Sequence, residues 1–296
     1  MMTPTSASTP EAQGRVELEL FPAPGPSSPI HPFGWIVGIG DELRELYRYR
    51  GVLQDMVVQE LRVRYQRSVL GFVWTLVNPI LMMTTLTLVF SQLFQVSAKN
   101  YAVYLFSGMV PWALLSGILN ESAVCFITNE GLIRRIYLPK LIFPLARVLI
   151  NLVTFLLSMS ALFLLMKLLG VAFSWSVLLL PIPVLLFSLF ALGLALTVSI
   201  ANTFFRDVGH LVSVFLQAWY FFTPIIYEVR LIPQEHRWRF WLNPAYPFIQ
   251  MFQDLIHKGQ VPPPVVMLAG FGLALVSLGI GYGVFKRCED HLVFRL

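Results

Sequence analysis

The chain has 296 residues, 56% of them hydrophobic and only 12% charged, with a mean hydropathy of +0.70, a formal net charge of +5 and an isoelectric point near 9.3. A soluble domain carries about 25% charged residues, so this composition excludes one; the basic excess reads as loops facing anionic lipid, not as a nucleic-acid footprint. Two isolated cysteines, Cys125 and Cys288, and five scattered histidines exclude a disulfide framework and offer no paired metal-ligand spacing.

Residues 1–33 hold seven prolines among Ser and Thr, contain no apolar run and read as a disordered, Pro-rich cytosolic tail without a cleavable signal. Residues 34–67 form a different segment. From Asp41 to Arg67 charges of both signs alternate with Leu43, Leu46, Tyr47, Tyr49, Leu53, Val57 and Leu61 at helical spacing, which predicts an amphipathic helix interrupted at Gly51. Lying directly before the first span, it is expected in the cytosolic interface with its apolar face against membrane lipid; the other reading is a soluble helix on a partner subunit.

The remainder, 68–296, reads as one membrane domain. Nothing charged lies between Arg67 and Lys99, Lys99 and Glu121, Arg147 and Lys167, Lys167 and Arg206, Asp207 and Glu228, or Lys258 and Lys286. A helix needs about 20 apolar residues to cross a bilayer, and these intervals predict six spans near 69–94, 102–120, 148–166, 176–202, 208–226 and 263–285. The interval from Lys167 to Arg206 is the ambiguous one, since a single straight helix there would be ~57 Å long at 1.5 Å per residue. One span plus an uncharged outer loop keeps Arg206 and the basic C-terminus in the cytosol, as the positive-inside rule prefers. Segment 228–262 mixes Trp238, Trp241, Tyr246 and Phe252 with Asn243-Pro244 and Pro247, which suits short re-entrant or interfacial helices on the outer face. Its basic residues Arg230, Arg237, Arg239 and Lys258 oppose that placement. The fold class expected is an all-α membrane protein with six transmembrane helices, an N-terminal amphipathic interface helix, short re-entrant helices before the last span, and both termini in the cytosol.

The spans hold almost no ionisable side chains. Ion-coupled carriers and intramembrane transferases need them at depth, so both classes are disfavoured. The uncharged polar groups Asn78, Gln92, Asn120, Asn151, Asn202 and Gln217 either line a route for a polar cargo or tie helices together. No GxxxxGK[ST] motif is present, so ATP, if it drives transport, is bound elsewhere. At 129–140 the sequence predicts a short amphipathic helix, with Asn129 as cap, Glu130 in the first turn and Pro139 as stop. Leu132, Ile133, Ile136 and Tyr137 would form one face, with Arg134 and Arg135 pointing away. Such a helix either plugs into an ATPase or lies on the membrane surface.

The run Arg64-Tyr65-Gln66-Arg67-Ser68-Val69-Leu70-Gly71-Phe72-Val73-Trp74 with Asn78-Pro79 resembles the entry to the first span of ABC-2 type permeases, in the branch that exports O-antigen, teichoic acid and related glycans. Gly108-Met109-Val110-Pro111-Trp112, the stretch around Pro139-Lys140, Phe205-Arg206-Asp207-Val208 and Phe222-Thr223-Pro224-Ile225-Ile226-Tyr227 resemble the same branch, in order, over about residues 41–290. The resemblance implies a half-transporter working as a homodimer with two copies of an ATP-binding cassette ATPase, which would hold the ATP and Mg; this chain would need no cofactor. It implies that the Asp41–Arg67 helix is the gate helix, that 129–140 is the coupling helix, and that 228–262 caps the outer exit of a polyprenyl-pyrophosphate-linked glycan. Aromatic walls suit the C–H faces of sugars, which makes Tyr101, Tyr104, Trp112, Trp219, Tyr220, Tyr227 and Trp241 candidate channel residues. A pyrophosphate head needs cations at the cytosolic leaflet, for which Arg62, Arg64, Arg67 and Arg147 are candidates, although positive-inside loops look the same. The expected function is a non-enzymatic permease subunit in the inner membrane; a drug or lipid exporter, and a membrane-bound glycosyltransferase, are the alternatives.

Overall fold

The computed structural model describes residues 34–65, 73–171 and 173–295. The expectations for the 1–33 tail and for Arg67 lie outside the described residues. Among the described residues every element is helical: α1 (Gly34–Arg48), α2 (Arg50–Tyr65), α3 (Val73–Leu93), α4 (Ala98–Ala123), α5 (Cys125–Thr128), α6 (Glu130–Ile133), α7 (Ile142–Leu168), α8 (Pro181–Phe204), α9 (Val208–Phe222), α10 (Tyr246–Ile256), α11 (Pro264–Cys288) and α12 (Leu292–Arg295), joined by 3-10 turns at Trp175–Leu179, Val229–Leu231, Gln234–Leu242 and Glu289–His291. Among the described residues four helices, α4, α7, α8 with its preceding turn, and α11 running on through the Glu289–His291 turn, are long and apolar enough to cross a bilayer. The apolar stretches Ile80–Leu93 and Val208–Phe222 are shorter.

Several boundaries differ from those read between charges. Helix α4 runs from Ala98 to Ala123 rather than 102–120, because Lys99 and Glu121 stay in the helix with partners: Lys99 Nζ donates to the Gly170 carbonyl at 3.2 Å, and Glu121 accepts from Arg64 and Asn151, each at 2.8 Å. Helix α7 likewise starts at Ile142 and carries Arg147 inside it. Helix α9 ends at Phe222, four residues early. Thr223 precedes Pro224, whose ring drives the preceding residue to extended geometry, and Thr223 sits at φ −95°, ψ 133°. Fifteen residues span only ~22 Å, short of a ~30 Å hydrocarbon core. The interface helix breaks at Tyr49, not at Gly51, which lies inside the first turn of α2. Between Lys167 and Arg206 there is one long helix, entered through Pro181 at its first turn, where the missing N–H costs nothing.

Two apolar clusters hold the bundle. In the larger, Phe248 of α10 sits 5.0 Å from Phe187 and 4.9 Å from Phe190 of α8, ring centre to ring centre. Ten of the eleven residues of α10 are buried. The aromatic segment is therefore partly core: α10 packs inward, while Leu231, Trp238, Trp241 and Leu242 of the flanking turns are exposed. Its basic residues are largely spoken for. Arg230 Nη2 donates to Glu228 (2.9 Å), Arg237 donates to the carbonyls of Ile232 and Arg230, and Lys258 meets the buried Asp254 at 2.6 Å. These local pairings reduce the free positive charge that weighed against an outer location.

The smaller cluster, at the opposite end, joins Cys125, Phe126, Leu138, Ile142, Phe143, Phe285 and Leu292. Helices α8 and α11 meet along a seam of small residues. A Cβ on Gly193 would strike the Ser277 carbonyl and one on Gly281 would strike that of Gly193, while Ser277 Oγ donates to the Phe190 carbonyl at 2.8 Å. Backbones brought this close are how helices associate where water supplies no drive.

Candidate functional site

Helices α4 and α9 leave a groove of about 360 Å³ between them. Trp112, Ser116 and Asn120 line it from α4 at spacings of four; Ser213, Leu216, Gln217, Tyr220 and Phe221 line it from α9 at spacings of three and four. The repeat puts each set on one helix face. None of these eight side chains is charged. At one end the Trp112 ring stands edge-on to Trp219 (5.5 Å) and to Tyr220 (5.8 Å). At the other, Ser213 Oγ donates to Asn120 Oδ1 at 2.7 Å, one residue before Glu121. The groove thus offers rings at one end and amide and hydroxyl groups at the other, the surface chemistry of a neutral, hydroxyl-rich ligand.

The seven candidate aromatics divide. Trp112 and Tyr220 line the groove, and Trp219 braces it, its Nε1 donating to Asn243 Oδ1 at 2.8 Å. Tyr101 and Tyr104 do not open onto it; they are 4% and 3% exposed. Tyr101 Oη donates to the Ile226 carbonyl and Tyr104 Oη to that of Tyr227, both at 2.6 Å. Tyr227 and Trp241 lie outside the groove; Tyr227 Oη donates to the Phe221 carbonyl and Trp241 packs edge-on to Tyr246. The polar residues divide too. Asn120 and Gln217 line the groove, whereas Asn202 ties the Ala123 carbonyl to the Gly209 N–H and Asn151 donates to Glu121 and to the Arg147 carbonyl.

Of the candidate arginines, Arg62 is exposed on α2. Arg64 pairs with Glu121 at 2.8 Å and Arg147 with Glu60 at 3.2 Å. Both of these cations already have carboxylate partners.

The 129–140 stretch is not one helix. Only Glu130–Ile133 forms a helical turn, and Asn129 does not cap it, because its Nδ2 reaches back to the Cys125 carbonyl at 2.7 Å. The expected single apolar face is also split. Leu132 and Ile133 pack on the smaller cluster with the buried Leu138. Ile136 (49% exposed) and Tyr137 (71%) project outward with Arg134 and Arg135. Glu130 pairs with Arg134 one turn on, at 2.9 Å. Beyond the loop, Lys140 Nζ donates to the Glu289 carbonyl at 2.7 Å. Partial burial, and after it the Glu45 carboxylate, hold the Tyr137 hydroxyl above the usual tyrosine range, so it stays a neutral donor.

The family described as ABC-2 type transporter matches residues 52–257. The chain belongs to that family. It is 31% identical over 255 residues to the O-antigen export system permease protein RfbA of Myxococcus xanthus, covering 84% of this chain and 96% of that one. A protein of the same description from Klebsiella pneumoniae is 28% identical over 247 residues, 81% of this chain and 94% of its own. The polysialic acid transport protein KpsM of Escherichia coli is 21% identical over 256 residues, 81% and 95%.

In this ABC-2 chain the residues that sequence reasoning passed over are Ser116, Ser213, Leu216 and Phe221 in the groove and the tethers made by Asn243, read there only as a helix breaker, and Gln253. The spacing of Trp112, Ser116 and Asn120 was a usable signal; the roles of the other two were not legible. Asn243 Nδ2 donates to Thr223 Oγ1 (2.9 Å), and Gln253 Nε2 to the Pro224 carbonyl (2.9 Å). With Tyr101 and Tyr104 they pin the 223–227 loop that ends α9. Tyr104→Phe removes the donor to the half-buried Tyr227 carbonyl and is expected to cost about 1 kcal/mol. A lowered thermal unfolding midpoint with insertion retained would show it; an unchanged midpoint would mean that the loop is held otherwise.

Proposed function

We propose that the chain is the membrane permease subunit of an ATP-driven exporter carrying a lipid-linked polysaccharide from the cytosolic side across the inner membrane. The uncharged groove between α4 and α9 carries this reading: rings and amides can pass a chain of hydroxyls without binding it tightly, whereas fixed charges would hold ions. The export names of the relatives support the same cargo class. Ile80–Leu93 and Val208–Phe222 would complete six crossings, and a second copy facing the groove would enclose it. The exposed Arg134, Arg135, Ile136 and Tyr137 are the contact for a separate ATPase, two copies per dimer, that binds ATP and Mg. Arg62, exposed on α2, would meet the carrier pyrophosphate.

Loss of the chain is expected to leave lipid-linked glycan on the cytosolic face of the membrane. Trp112→Ala is expected to slow export several-fold in cells that still make a folded permease. Normal glycan export in the deletion strain, with lipid or drug efflux lost instead, would overturn the cargo. Cysteine accessibility at Lys99, Lys167 and Arg239 (outside) against Arg135 and Arg206 (inside) tests the crossings and the cytosolic termini.

A further inference from the structure

Three polar side chains of the groove are already bonded to protein. Asn120 Nδ2 donates to the Ser116 carbonyl at 2.8 Å, and Asn120 Oδ1 accepts from Ser213 Oγ at 2.7 Å. Ser116 Oγ donates to the Ala113 carbonyl at 3.3 Å. Gln217 differs. It is exposed in the groove, and its amide has no hydrogen-bond partner among the described residues. It stands one turn after Ser213 on α9 and three residues before Tyr220, whose ring meets that of Trp112 at 5.8 Å. A free amide thus lies between the spent polar end and the rings.

Among the described residues no cation lines the groove. The one basic side chain of α9, His210, is two turns before Gln217, about 10 Å along the axis. Glu121, which follows Asn120 on α4, already holds Arg64 at 2.8 Å. A carboxylate brought into this groove would exchange water for neutral partners. An unpaired charge taken from water is far costlier than a hydroxyl that keeps a hydrogen bond. An amide both donates and accepts, as a sugar hydroxyl does, so Gln217 suits a neutral sugar in either sense.

We infer that Gln217 sets the charge of the cargo: it bonds the hydroxyls of neutral sugars and leaves acidic sugars without a partner, so the groove passes neutral glycans and rejects anionic ones. This deepens the proposed export function and rests on it. Permease and ATPase are reconstituted in vesicles with two lipid-linked glycans that differ only in carrying a hexose or the matching hexuronic acid at one position of the repeat. Export and ATP hydrolysis are read separately. The neutral glycan is expected to leave at least tenfold faster. Gln217→Lys is expected to raise export of the acidic glycan at least fivefold and to lower that of the neutral one. Gln217→Leu is expected to slow the neutral glycan several-fold with no gain for the acidic one. Equal or faster export of the acidic glycan by the unaltered complex overturns the inference. So does an unchanged preference in Gln217→Lys; if that variant does not assemble, unslowed neutral export by Gln217→Leu overturns it instead. If the unaltered complex hydrolyses ATP but exports neither glycan, the export reading fails. Gln217 is then judged on quenching of the permease tryptophans by the two free oligosaccharides. Quenching by the neutral one, transferred to the acidic one by Gln217→Lys, sustains the selection, and equal or absent quenching overturns it.

Discussion

Changing Ile136 and Tyr137 together to Asp is expected to weaken ATPase binding at least ~30-fold and to abolish export, while the permease stays folded and inserted. The two side chains are 49% and 71% exposed on a loop whose neighbours Leu138 and Pro139 are buried, so the backbone is anchored while the side chains face outward. An exposed aromatic beside an aliphatic and two arginines has the composition of an interface anchor, and truncating one such anchor typically costs 2 kcal/mol or more, about 30-fold in Kd. Asp at position 137 also puts a carboxylate next to Glu45. The measurement is titration of purified ATPase onto permease in nanodiscs, with export assayed in parallel. Ile133→Asp is the contrast: its side chain packs on the smaller apolar cluster, so a carboxylate there is expected to destabilise that cluster rather than uncouple the ATPase. Full ATPase affinity in the Ile136, Tyr137 double variant would remove the loop from the contact.

That distinction was not legible in the sequence. Helical spacing put Leu132, Ile133, Ile136 and Tyr137 on one face, which presumed a helix through Pro139. The chain instead leaves the helix after Ile133, and the face divides between the cluster and the solvent. What could be read was whatever bilayer physics dictates locally. The charge-free intervals found the long helices, and positive-inside reasoning chose one crossing between Lys167 and Arg206, where α8 stands alone. What could not be read depends on partners distant in sequence. Tyr101 and Tyr104 look like channel walls until their hydroxyls are seen to meet the carbonyls of Ile226 and Tyr227. Arg64 and Arg147 look like phosphate ligands until Glu121 and Glu60 are found beside them. Helix α10 was masked by its prolines and basic neighbours, although Tyr246–Ile256 contains no charge but Asp254. In the groove, by contrast, the spacing of four from Trp112 to Asn120 carried enough to identify the lining face of α4.

Gly281→Leu is expected to leave no stably folded permease. The obstacle is backbone: a Cβ at 281 would run into the carbonyl of Gly193, which cannot rotate aside as a side chain can. Helices α8 and α11 would have to separate along their seam, giving up dispersion contacts and the Ser277 hydroxyl's bond to the Phe190 carbonyl. Overpacking a core usually costs 1–3 kcal/mol, and a clash with fixed backbone belongs at or above that upper end. The same helix supplies its own controls. A Cβ on Gly279 or Gly283 meets nothing within 4 Å, so Gly279→Leu and Gly283→Leu keep the seam intact and gain the better helix propensity of leucine, up to ~1 kcal/mol. Thermal unfolding followed by size-exclusion chromatography in mild detergent separates the cases: Gly281→Leu aggregates or melts far earlier, and the two controls match or exceed the parent. Equal melting of all three leucine variants would mean that α8 and α11 are not held by close backbone contact.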